Sequence, residues 1–74
     1  MSERRNIRFV DSRGEELFQV SDGGMIRQFY GNGEEHYALC RYVDGDHMEI
    51  DGTRWNNRQF AGQMEESGIR CFPV

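Results

Sequence analysis

Lysine is absent from this chain: all nine basic residues are arginines. Arginine suits planar, bidentate and stacked contacts at interfaces, but codon or lineage bias is the preferred account of the composition. Cysteine is scarce, with Cys40 and Cys71 far apart in apolar segments and no CxxC pair. Buried free thiols are therefore expected, with an intramolecular disulfide as the alternative if their two strands are neighbours. No apolar run approaches the ~20 residues that span a bilayer, and MSERRNIRF has no apolar signal core. A cytoplasmic protein without a membrane partner is the expectation. A positive charge balance is missing too: the net charge is −4 and the pI about 5.0. That disfavours a nucleic-acid backbone as the main partner, because phosphate binding needs a basic face.

With 74 residues, the chain is expected to form one small domain over residues 1–74, with 1–5 frayed. A chain of this size buries only roughly 60% of its unfolded surface. It leaves little room for a deep catalytic cleft or a cofactor domain.

The most legible stretch is Trp55–Ile69. Asn56 suits an N-cap, because its side-chain oxygen can accept from the free N–H groups of the first turn. Gln59 stands where a side chain reaches back to the cap, and Trp55 and Phe60 occupy the two ends of a hydrophobic staple. Gly68 fits the left-handed position that ends a helix, with Ile69 folding back towards Met64. Start and stop agree on one helix, about 57–67. Its apolar stripe is Phe60, Ala61 and Met64, with Arg58, Glu65 and Glu66 facing water.

The remainder reads as short strands. Ile7–Val10 and Leu17–Val20 are separated by a turn at 11–14, and residues 21–24 close the second. Met25–Tyr30 leads into Gly31-Asn32-Gly33, a strong hairpin turn. His36–Val43 is the longest strand, with apolar residues on both faces, as expected of a central strand covered on two sides. Asp44-Gly45 and Asp51-Gly52 suit tight hairpins. Between them Met48 and Ile50 alternate inward with His47 and Glu49 outward. Thr53–Trp55 enters the helix, and Ile69–Phe72 can return to the sheet before Pro73 stops it. The fold class is α+β: an antiparallel β meander of about six short strands packed against one C-terminal helix, with a short returning strand.

Chemistry-bearing clusters are weak. His36, Cys40, His47 and Cys71 are zinc-ligand types, and His36 and Cys40 share a strand face, but the close pairs of structural zinc sites are missing. Asp44, Asp46, Glu49 and Asp51 crowd 44–52 without the Gly and terminal Glu of a calcium loop. Cys40 with His36 or His47 is formally a Cys–His pair, yet Cys40 sits in an apolar strand where a thiol is inert. The glycine pairs make turns, with no phosphate loop behind them. No cofactor, metal or catalytic residue is expected, and the chain reads as a non-enzyme.

The segment Cys40–Gly68 carries Cys40-Arg41-Tyr42-Val43-Asp44, then Trp55, then Phe60-Ala61, Met64-Glu65 and Gly68. That order resembles a small domain of conjugative elements and phages of gut Firmicutes, found as an accessory module of large polyvalent proteins. Asn56-Asn57 depart from the His-Ile expected there, so any role of a histidine is absent. The resemblance implies a mobile-element protein and, by context, a counter-defence factor.

The expectation is therefore a non-enzymatic binding protein, an inhibitor of a host nucleic-acid-directed defence complex of the anti-CRISPR or anti-restriction kind. Asp44, Asp46, Glu49, Asp51, Glu65 and Glu66 would oppose a basic groove, and Tyr30, Tyr37 and Trp55 would be anchors. The alternatives are a nucleic-acid contact through Arg4, Arg5, Arg8 and Arg13, and a homodimeric module formed at an exposed edge strand.

Overall fold

The structure is a computed structural model that describes residues 5–74, so Arg4 and most of the segment expected to fray lie outside the described residues. Seven strands and one helix follow in order: β1 (Asn6–Val10), β2 (Glu16–Ser21), β3 (Met25–Phe29), β4 (Glu35–Tyr42), β5 (His47–Ile50), β6 (Thr53–Asn56), α1 (Asn57–Ser67) and β7 (Arg70–Pro73). The α+β meander with a returning strand is the observed fold, and every turn signal separates two elements.

The helix forms as its end signals require. Asn56, extended at φ −75° and ψ 139°, accepts from the backbone N–H groups of Arg58 and Gln59. Trp55 and Phe60 close the staple edge to face, ring centroids 5.5 Å apart. Gly68 adopts φ +70°, and Ile69 N–H donates to Met64 C=O at 2.9 Å. That left-handed turn ends the helix and satisfies its last carbonyls.

The strands make two sheets, not one. β1 and β2 pair alone, while the other five are ordered β6-β5-β4-β3-β7, every pairing antiparallel. The chain crosses between the sheets at Gly23-Gly24, whose backbone pairs with Cys40 on β4 in both directions at 2.8 Å. A Cβ on Gly24 would stand 2.7 Å from Val20 Cγ1 and 2.9 Å from Ser21 O, so the crossing is too tight for any side chain.

One face of the five-stranded sheet is covered jointly by the β1–β2 hairpin and the helix, which leans on β1, β6 and β7. Ile7, Phe9, Val20, Ile26, Ala38, Cys40, Met48, Ile50 and Phe60 form the core between them. Met48 and Ile50 point inward as expected. The two-sided cover expected for β4 is not there. Ala38 and Cys40 are fully buried, whereas Tyr37 and Leu39, on the opposite face, are exposed. One eleven-residue helix and one hairpin are enough to cover a single face. The other meets solvent, as one face of an antiparallel sheet commonly does.

Candidate functional site

The open face of the five-stranded sheet is the most distinctive surface among the described residues. Directly opposed residues of antiparallel strands share a face. The pairings Met25–Leu39, Arg27–Tyr37 and Arg27–Phe72 therefore put these side chains together. Met25, Tyr37, Leu39 and Phe72 are 40, 50, 43 and 39% exposed, a large apolar area for so small a chain. Arg27 stands at its centre, its guanidinium 4.8 Å from the Phe29 ring centroid and 5.9 Å from that of Tyr37. Glu35 holds Arg27 by a 2.7 Å ion pair, which raises its already high pKa. Phe29 and Phe72 pack edge to face at 5.6 Å. Arg41, Glu49 and Arg54 continue the same face across β4, β5 and β6.

Arg70, opposite Phe29, stands on this face too. Four arginines against Glu35 and Glu49 leave it with an excess of two positive charges, so the rest of a chain of net charge −4 carries −6. The charge is segregated in a way that the overall balance hides.

The residues singled out from the sequence are dispersed. Asp44 and Asp46 lie in the β4–β5 turn and Asp51 in the β5–β6 turn, at opposite ends of β5 and roughly 16 Å apart by strand rise. Asp44 accepts from Asp46 N–H and contacts His47 Nδ1 at 2.9 Å; the histidine bond, more than the backbone one, lowers its pKa. Asp51 contacts His36 Nε2 at 2.8 Å and accepts from Leu39 N–H, and its pKa is lowered chiefly by His36. Glu49 belongs to the open face. Glu65 does not face water freely: it accepts from the Ser12 N–H and hydroxyl at 3.0 and 2.9 Å, tying the helix to the β1–β2 turn. Arg58 grips the same turn, donating to Ser12 C=O. Glu66 is exposed on the helix.

Of the expected anchors, Tyr37 stands on the open face, Tyr30 begins the β3–β4 turn, and Trp55 is half-buried against Phe60. Arg5, Arg8 and Arg13, the described N-terminal arginines, do not make one basic surface. Arg5 stacks over Tyr42, Arg8 pairs with Glu16, and Arg13 pairs with Asp11. Sequence reading missed Met25, Arg27, Phe29, Leu39 and Phe72 as a group. The available signal was the count of elements, which leaves one face of the longest strand without a cover.

Cys40 and Cys71 are free. β3 lies between their strands, and Cys71 stands opposite Gln28 while Cys40 bonds to Gly23 and Gly24, so two strand spacings alone hold them at least about 10 Å apart, beyond the reach of a disulfide. Burial pushes the Cys40 thiol up to about 12 and also raises Cys71. In the native protein at pH 8, Ellman's reagent is expected to leave Cys40 unmodified and to react slowly at Cys71. Both thiols should titrate at once in guanidinium, and fast native reaction of both would contradict the buried inner face.

A groove of about 170 Å³ between the hairpin, the helix and β7 is lined by Leu17, Met64, Ile69 and Cys71, among others. Beside it the half-buried Met64 accepts from Gln28 Nε2 at 3.4 Å. Among the described residues no three His, Cys, Asp or Glu side chains converge as a metal site. Among the described residues no helix is long and apolar enough to cross a membrane. Compared with protein-family models, curated proteins and solved structures, the chain matches none of them.

Proposed function

We propose that the chain is a non-enzymatic protein-binding module whose working surface is the open face of the five-stranded sheet. The observation that carries this reading is the composition of that face. Tyrosine, phenylalanine, methionine and one stacked arginine form its centre, and charged residues surround them. Protein interfaces are built this way, with aromatic and arginine anchors inside a polar rim. In the mobile-element setting that the resemblance implies, the partner is a component of a host defence complex and binding inhibits it. The acidic turns support this less than the open face does, since Asp44, Asp51 and Glu65 are engaged within the fold.

The double substitution Tyr37→Asp, Leu39→Asp tests the reading. Both side chains already meet solvent, so the thermal midpoint should move by only a few degrees. Tagged wild-type protein should retain a stoichiometric partner from a bacterial lysate that the variant loses. Identical retention by both, or none by either, would remove the open face from the function.

A further inference from the structure

We infer that the open face takes an extended segment of a partner protein, carrying acidic side chains on either side of apolar ones. This rests on the reading of that face as the binding surface and names what it binds.

Its arginines are not equivalent. Arg27 is neutralised by Glu35 at 2.7 Å and Arg41 by Asp22 at 3.3 Å. Among the described residues, no carboxylate lies within 4.0 Å of the Arg54 or Arg70 guanidinium. Arg54 stands on β6 and Arg70 on β7, the two edges of the sheet. Four strand spacings separate those edges, about 19 Å. The register sets Arg54, opposite Glu49, and Arg70, opposite Phe29, at diagonally opposite corners of the face, with the apolar strip of Met25, Leu39, Tyr37 and Phe72 between them. A complementary ligand has negative groups outside and apolar groups between them.

Size excludes a broad partner. Five strands by about five residues give a face with a projected area on the order of 400 Å². A stable protein pair buries about 800 Å² per partner, so a second copy docking face to face falls short. It would also oppose arginines to arginines. A narrow, extended segment fits within the strip.

Charge and ring geometry argue against a single strand of nucleic acid on the same face. Every nucleotide brings a phosphate, and the strip offers Glu35 and Glu49 as well as arginines. Bases bind such surfaces by stacking on uncovered aromatic rings. Here Arg27 lies over Phe29 at 4.8 Å and Arg70 over Phe72 at 5.3 Å, so those rings are already capped. A peptide brings acid only at the ends where the arginines wait.

The test is selection from a random twelve-residue peptide library displayed on phage, run against the wild-type protein and against Arg54→Glu, Arg70→Glu. Sequences enriched on the wild type should hold two or more acidic residues flanking apolar ones. The best of them, made synthetically, should bind the double variant at least tenfold more weakly and weaken with added salt, as rim charges do. Enrichment of basic or uncharged sequences, or equal binding by the double variant, would overturn the acidic complement. If those peptides were still lost on Tyr37→Asp, Leu39→Asp, the open face would remain the binding surface. No enrichment together with binding of fluorescent oligo(dT) would overturn the peptide in favour of nucleic acid. No binding of either probe would overturn this proposal, whereas the binding-surface reading would fall only if the lysate comparison failed as well.

Discussion

Phe60→Ala is expected to leave the protein largely unfolded near body temperature. The ring is 4% exposed and joins three elements: the helix that carries it, Phe9 of β1 at 6.1 Å, and Trp55 of β6 at 5.5 Å. Phe9 in turn stacks on Phe18 of β2 at 4.8 Å, so the deletion undermines an aromatic chain running through the hairpin. Truncating a buried phenylalanine to alanine costs about 3–5 kcal/mol. A domain of this size holds about 4–11 kcal/mol in total. At about 4–8 °C per kcal/mol, the thermal midpoint should fall by about 12–40 °C. Circular dichroism melts of the variant and of Phe60→Leu measure this, with leucine keeping most of the volume and most of the stability. A drop below about 5 °C for alanine would show that the ring is not the link between helix and hairpin.

The second large effect is expected at Asn57, the first residue of the helix and 6% exposed. Its side-chain Nδ2 donates to Arg8 C=O of β1 at 2.9 Å and approaches Gly45 C=O of the β4–β5 turn at 3.5 Å. Its backbone N–H donates to Asp46 C=O at 2.9 Å. One residue thus holds the hairpin, the far end of the sheet and the helix start together. Two carbonyl neighbours require the NH₂ side of the amide to face them, which leaves Oδ1 buried without a partner. Asn57→Ala removes the donor and leaves Arg8 C=O unsatisfied, a loss of about 1–3 kcal/mol. Alanine's better helix propensity recovers at most about 0.7 kcal/mol.

Asn57→Asp should be worse at pH 7. It places a buried carboxylate against two carbonyl oxygens, and the helix N-terminus returns only about 0.3–1 kcal/mol to a negative charge. Lowering the pH to protonate the new carboxyl restores a donor and should narrow the gap between Asp and Ala. Urea denaturation of the three proteins at pH 7 and pH 4 measures it. An aspartate variant as stable as wild type at pH 7 would mean that Asn57 is not a buried donor.

The two sites differ in how far they could be read in advance. Phe60 was legible as a core residue because its helix is bounded by local signals: Asn56 before it, Gly68 after it, Trp55 one turn away. Asn57 was legible only as a departure from a resemblance. Its partners Arg8 and Gly45 lie 49 and 12 residues away, and no local pattern announces a bond across such separations.

The candidate surface shows the same division. Tyr37 was identified as an exposed aromatic, but Arg27, Phe72 and Leu39 acquire meaning only once β3 lies between β4 and β7. The acidic residues of 44–51 looked like a cluster because they are close in sequence. A four-residue strand separates Asp46 from Asp51 and sends them to opposite ends of the sheet.

What the sequence by itself determined was therefore local: the helix with both its ends, the strand segments, the turns between them and the inward side of β5. Those follow from interactions within a few residues, namely capping bonds, left-handed glycines and the two-residue alternation of strands. The tertiary structure alone decided that β1 and β2 form a sheet of their own, that the returning strand pairs with β3, and that one face of β4 stays open. Strand order and cover depend on which apolar surfaces meet when one helix and one hairpin must shelter five strands. That choice gathers four arginines and an aromatic strip on one side of an acidic chain.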